Sequence, residues 1–403
     1  MNKIFNYIGI GQIGLLEFIL AMYPIVGGYQ YGHVPFSLLV LIILDAIVLV
    51  QTQGKPKMRQ PNKAIKYLII YVMVHETVLF LTLPSVPSYF INSYIAQIII
   101  FVSILIIGSN INFKKFISSI NIVAIISMLG LLYQLPIILS SGVTTPISLP
   151  FMPALDSEAR AYEELTRPSS FFWEPQSYCS YMFVPLFFAL KEKKMLWAVV
   201  ITISMFLTGS TTGIVISVFM FAYTAFFTGQ KASSRIAVII VAAGLVYFLL
   251  NSSFFEAGVS KMEGTQYERN SRLYNGITLV LKMPINDLIV GGNAASAADY
   301  YFSGAAGTGF LLEKNDTIYV STFWEVIVRF GIIGLVIYLW TYIKPILQAK
   351  ELAIYVLALV IMLFTNPDSI SGIYAYEMIV ISSFLMYKFK SNENIYNYNA
   401  LRK

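Results

Sequence analysis

The sequence predicts an all-α fold, a polytopic membrane helical bundle of about twelve transmembrane helices. Three observations predict it. Hydrophobic residues make up 57% of the 403 and charged residues only 12%, with mean hydropathy +0.71, whereas a soluble domain carries about 25% charge. Apolar runs recur along the whole length, each close to the roughly 20 residues that a span requires. The basic residues gather in alternate connections between those runs. One integral membrane domain over 1–403 is therefore expected, with no appended soluble domain.

In chain order, spans are expected near 8–27, 36–51, 66–84, 94–111, 116–138, 171–190, 195–209, 212–228, 236–251, 318–343, 352–366 and 373–388. Met1-Asn2-Lys3 leads into the first run without a small-residue cleavage site, so that run reads as a retained helix. The seventh and eighth runs are short, and Gly209 to Gly213 between them reads either as a hairpin turn or as an interruption of one span. The basic residues choose the hairpin. With it, and with the N-terminus inside, about 19 of the 27 Lys and Arg residues lie in inner segments and about 7 in outer ones. Without it, Lys191 and Arg235 would face opposite sides. Both termini are expected in the cytoplasm. The net charge of +6 then belongs to inner loops facing lipid, so membrane lipid is an expected partner and nucleic acid is not.

Two outer connections stand out by length, about 139–170 and 252–317, and loops this long in a compact domain tend to be functional or disordered. The first is expected to carry a helical stretch from Asp156 to Thr166, stopped by Pro168. The second is expected to carry an amphipathic helix from Gln266 to Met283, closed by Pro284. Its Leu273, Ile277, Val280 and Leu281 recur at helical spacing, while Glu268, Arg269 and Arg272 fall on the other face. This helix reads as lying on the membrane, its arginines meeting either lipid phosphate or a substrate. Further on, Gly291-Gly292-Asn293 reads as a tight turn and Gly304 to Gly309 as a flexible stretch able to close over a ligand.

Arg167 to Tyr178, read Arg-Pro-Ser-Ser-Phe-Phe-Trp-Glu-Pro-Gln-Ser-Tyr, joins the first long loop to an apolar run. A cation, an acid and aromatics at such a junction suit a ligand with a charged head and an apolar tail. They equally suit a plain loop-to-helix anchor, with Trp173 marking the interface. Six charges fall within expected spans: Glu17, Asp45, Glu76, Glu325, Glu377 and Arg329. Each costs about 2.5–3.5 kcal/mol at a helix centre unless paired. Glu325 and Arg329, four apart with the acid first, are expected to pair. His75-Glu76 has no second His at zinc-protease spacing, and with only His33 besides, no metal cluster or Ser-His-Asp set can be assembled. No metal or other cofactor is expected. Cys179, the single cysteine, cannot form an intrachain disulfide.

The order of these features resembles the Wzy-type O-antigen and capsule polymerases, over residues 160 to 340. The features are the segment Arg167 to Pro175, the hairpin Leu207-Thr-Gly-Ser-Thr-Thr-Gly213, Arg272 ahead of Pro284 and Gly291-Gly292, and Asn315-Asp316-Thr-Ile-Tyr319 before Phe330-Gly-Ile-Ile-Gly-Leu335. The related O-antigen ligases share the plan. The resemblance implies a lipid-dependent, GT-C-like glycosyltransferase of the bacterial inner membrane with its site on the exterior face. It would move a growing glycan from undecaprenyl diphosphate onto another undecaprenyl-linked repeat unit, and a chain-length regulator and a flippase would be its partners. Two departures are visible. Thr211 and Thr212 follow Ser210 where the family often has Arg, and Asn315-Asp316 stands where ligases and some polymerases have His.

The chemistry of such a transfer needs fixed positive charge near the departing diphosphate and a base near the attacking hydroxyl. Arginine stays protonated and grips phosphate oxygens in pairs. Arg167 and Arg272 are expected to clamp the diphosphate with Arg269 assisting, and Glu174, then Asp316, to act as base. Glu174 has a simpler alternative as the ion-pair partner of Arg167. A ligase acting on a lipid core and a glycolipid flippase or secondary transporter are the rival functions. A transporter would carry its charges near the midplane and an internal repeat.

Overall fold

Polar connections and proline or glycine ends cut the apolar runs into discrete helices. The computed structural model describes residues 2–31, 34–82, 88–150, 152, 167–227, 243, 244, 247, 272–292, 294, 297–302, 320–366 and 370–400. Ahead of the first long connection lie α1 (Asn2–Ile8), α2 (Leu15–Val26), α3 (Phe36–Gln51), α4 (Lys63–Thr82), α5 (Ser88–Asn110) and α6 (Phe113–Ser141). Then come α7 (Pro175–Lys191), α8 (Met195–Leu207) and α9 (Thr211–Phe227), the short α10 (Arg272–Lys282), α11 (Ile285–Val290) and α12 (Ala297–Phe302), and finally α13 (Thr322–Gln348), α14 (Ala353–Met362) and α15 (Gly372–Ala400). Between α2 and α3, β1 (Gln30–Tyr31) and β2 (Val34–Pro35) form one antiparallel pair, the only strands among the described residues.

Helices therefore occupy each expected span except 236–251, most of which lies outside the described residues, as do Asp156 to Thr166 and Gly304 to Gly309. Among the described residues, four helices are long and apolar enough to cross a membrane: α4, residues Ile91–Asn110 of α5, α6 and α13. The surface of α4 shows the pattern that a membrane span requires. On α4, Ile65, Leu68, Val72 and Leu79 are buried, while Tyr67, Ile70, Val74, Val78 and Leu81 form a stripe exposed by 52–75%. An apolar stripe of that size is unfavourable in water and is relieved by lipid.

The chain divides into two compact units. The first comprises Met1–Pro56, Asn110–Lys261 and Ala353–Ala358. Its centre is α7, apolar on all sides and buried from Tyr181 through Leu190, packed by α6, α8 and α9. Pro175 opens α7 at a position where its missing N–H is not needed. The long α6 begins at Asn112, whose side chain accepts from Lys115 N, and ends at Gly142 in the left-handed conformation. Glu17, one of the charges expected within a span, is spent here on structure, its Oε1 accepting from Asn112 N at 2.9 Å. The hairpin is real as two helices, α8 and α9, separated by Thr208–Ser210 with Gly209 at φ +62°. A Cβ on Gly213 would run into Cys179, so this glycine lets α9 approach α7.

The second unit comprises Lys57–Ser109, Met262–Leu352 and Leu359–Lys403, and its centre is α13, packed by α4, α10, α11 and α12. α13 is broken at Gly331, where φ is +67° and ψ −176°. The break frees carbonyls that neighbours then satisfy: Tyr71 Oη donates to Phe330 O at 2.7 Å, and Gly292 N to Val328 O at 2.7 Å. The expected turn at Gly291-Gly292 thus docks on the break. A Cβ on Gly331 would lie 2.6 Å from Gly291 N and closer still to Ile289 O, and one on Gly291 would meet Arg329 O. Gly331→Ala is accordingly expected to lower the thermal midpoint in detergent by more than Gly54→Ala. Gly54 also has positive φ but open space around it, so its variant isolates the backbone cost of about 1–2 kcal/mol. Equal shifts in the two variants would contradict the docking contact.

Of the amphipathic helix expected from Gln266 to Met283, Arg272–Lys282 is helical, and residues 266–271 lie outside those described. Asn275, Leu279 and Met283 are buried, and Gly276 leaves room for Trp324 of α13. The apolar residues Ile277 and Leu281 stay exposed, by 39% and 80%. One face is therefore in use against α13, and apolar side chains remain exposed on the other.

Candidate functional site

The junction from Arg167 to Tyr178 is fastened to α6. Gln134, buried in the middle of an apolar helix, accepts from Ser169 N at 3.0 Å and Ser170 N at 2.6 Å, and donates to Thr145 O at 2.7 Å. Ser170 donates its hydroxyl to Ser127 O at 2.7 Å and holds φ at +58°, an uncommon conformation that these bonds maintain. Phe172 points away from the junction's surface. It is 2% exposed and packs against Tyr178 and Tyr181, so it anchors the loop in the core. The side chain of Trp173 is half-buried.

On this base sit two of the expected site residues. Arg167 is half-buried, and its Nη1 donates to Gly209 O at 3.0 Å, which brings the junction and the Leu207–Gly213 hairpin into one cluster. Burial lowers the proton affinity of the guanidinium below its usual value, while the negative charge of Glu174 opposes that shift. Glu174 takes the N-cap position of α7 without its side chain bonding a helix N–H. A carboxylate at a helix start ordinarily caps it; this one lies close enough to Arg167 for its charge to be felt there.

Of the remaining expected residues, Arg272 opens α10 in the second unit, and Arg269 and Asp316 lie outside the described residues. The expected Glu325–Arg329 pair does not form. Arg329 Nη2 instead bonds Glu76 Oε1 at 3.0 Å and Ser93 Oγ at 3.3 Å, and Gln97 Nε2 donates to the same Glu76 oxygen at 3.4 Å. Glu325 turns to the start of α12, accepting from Ala297 N at 3.2 Å. The local i, i+4 attraction is worth only a few tenths of a kcal/mol, whereas leaving Glu76 alone in an apolar span costs several. Tertiary pairing wins. A signal was present in the sequence: Glu76 lies six residues before the end of α4 and Arg329 seven after the start of α13, each about 10 Å along its helix from the end expected outside. Glu377, by contrast, accepts from Tyr342 Oη at 2.7 Å within a tyrosine cluster.

The second unit thus holds a buried ion pair beside a broken helix, with His75 edge-on to Phe330 at 5.4 Å. Irregular backbone at such a place survives where it is enclosed by protein or lines a cavity. The first unit offers a cation, an acid and a glycine-rich hairpin at one loop-to-helix junction. Among the described residues, no three of His, Cys, Asp and Glu are grouped to hold a metal ion. No protein-family model matches the chain, and no curated protein matches it.

Proposed function

We propose that this protein polymerises undecaprenyl-diphosphate-linked oligosaccharide repeat units into O-antigen or capsular polysaccharide, at the exterior face of a bacterial inner membrane. The observation that carries this reading is the Arg167 cluster. A half-buried guanidinium is held by the Gly209 carbonyl, with Glu174 beside it, where a polar loop enters an apolar helix. A departing diphosphate needs such a cation, and a polyprenyl chain needs the apolar surroundings.

In this reading a sugar hydroxyl of the acceptor attacks the anomeric carbon of the donor glycan. The carbon–oxygen bond to the diphosphate breaks, and undecaprenyl diphosphate leaves with the electron pair. Arg167 and Arg272 hold its charge with Arg269 assisting. Glu174 takes the hydroxyl proton, with Asp316 as the second choice. Twelve spans with both termini in the cytoplasm put this chemistry outside. The grouping of segments by side is supported by hydrogen bonds that join segments assigned to the same side: Leu196 N to Tyr7 Oη, Gln348 Nε2 to Pro61 O, and Leu149 N to Tyr29 Oη.

Purified protein given undecaprenyl-diphosphate-linked repeat units alone is expected to produce a ladder of longer lipid-linked glycans. Product formed only after a lipid-core acceptor is added would mean a ligase. Translocation without any new glycosidic bond would mean a flippase. Either result sinks the polymerase reading.

A further inference from the structure

A cavity of about 530 Å³ in the second unit is lined by Arg59, Lys63 and Lys66, with Gln60, Tyr67 and Ile70 among its other walls. None of its described lining residues is acidic. Lys63 and Lys66 are three apart in the first turns of α4 and therefore neighbours on one face, and both are exposed. Gln60 adds an observation of a different kind. It is 4% exposed, and its Oε1 accepts from Asn62 N at 3.3 Å and Ser382 Oγ at 2.9 Å. Because a backbone N–H can only donate, the contact with Asn62 fixes which way the carboxamide faces. Its Nε2 is left buried without a protein acceptor. A buried donor in that state is costly, and the residue that carries it lines the cavity.

Along the same face of α4 the lysines give way to Tyr67 and Ile70, exposed by 59% and 61%. Cation, aromatic and aliphatic follow one another in the order presented by an amphiphile with an anionic head and an acyl tail. We propose that this cavity binds the phosphate of an anionic phospholipid headgroup, with an acyl chain lying along the exposed stripe of α4. The lysines supply charge, and Gln60 Nε2 donates to a phosphate oxygen. The site shares no residue with the Arg167 cluster and stands whether or not the protein is a polymerase.

The test uses the full chain in a neutral detergent, with bound lipid counted by native mass spectrometry and the unfolding midpoint followed in parallel. Short-chain phosphatidylglycerol is expected to be retained and to raise the midpoint, while phosphatidylcholine and millimolar inorganic phosphate are not. Lys63→Gln with Lys66→Gln is expected to weaken phosphatidylglycerol binding about thirtyfold. Lys114→Gln with Lys193→Gln removes the same charge from exposed positions elsewhere and is expected to leave binding unchanged. Equal losses in the two double variants, or none in the first, would overturn the site. Equal protection by inorganic phosphate would overturn the lipid assignment. On the unaltered chain, phosphatidylcholine matching phosphatidylglycerol would overturn it without any variant.

Discussion

Arg329→Ala is expected to destabilise the protein by about 3–5 kcal/mol, the largest effect of any single change considered. The reason lies in what remains. Glu76, with 2% of its side chain exposed, would keep its charge between apolar helices after losing the guanidinium that neutralises it. Ser93 and Gln97 are neutral and cannot replace that charge. The variant would also lose the stacking of the guanidinium on Phe330, at 4.9 Å from the ring centroid. Thermal unfolding in detergent measures the cost. Glu76→Gln combined with Arg329→Gln is expected to recover most of the loss, because removing both charges together leaves no unpaired ion. An Arg329→Ala protein that unfolds at the original temperature would show that this pair contributes nothing, and a double variant as unstable as the single would trace the loss to packing.

The second large effect concerns turnover. Arg167→Ala is expected to slow polymer synthesis by about a hundred- to a thousandfold at equal protein levels, the scale of losing one preorganised donor to a developing anion. Arg167→Lys should fall between, since it keeps the charge and loses the paired N–H geometry. Glu174→Gln then separates two roles for the acid. As a base, Glu174 accounts for roughly a hundred- to ten-thousandfold in rate, and the variant should bind donor normally while turning over slowly. As a partner that merely steadies Arg167, its loss should lower the unfolding midpoint and leave turnover intact. Near-normal synthesis by Arg167→Ala would reject the proposed clamp.

The amino-acid sequence by itself determined that the chain is built from helices, several of them apolar enough to cross a membrane, and where the described helices lie, because hydropathy over about 20 residues and the punctuation by Pro, Gly and polar turns are local properties. It also identified the hairpin at Gly209 to Gly213, since placing Lys191 and Arg235 on one side, as expected, needs two helices there. The closeness of Arg167 to that hairpin was not legible, for nothing local ties residue 167 to residue 209; the contact depends on Gln134 pinning the loop and on Gly213 making room for Cys179. The partner of Arg329 was misread for a related reason. Sequence spacing reports neighbours on one helix, whereas a buried charge is matched by whichever opposite charge lies at the same depth on the helix packed against it. Tertiary structure decided in favour of Glu76, 253 positions away, because pairing there relieves two desolvated ions at once and the nearby Glu325 had a helix start to cap.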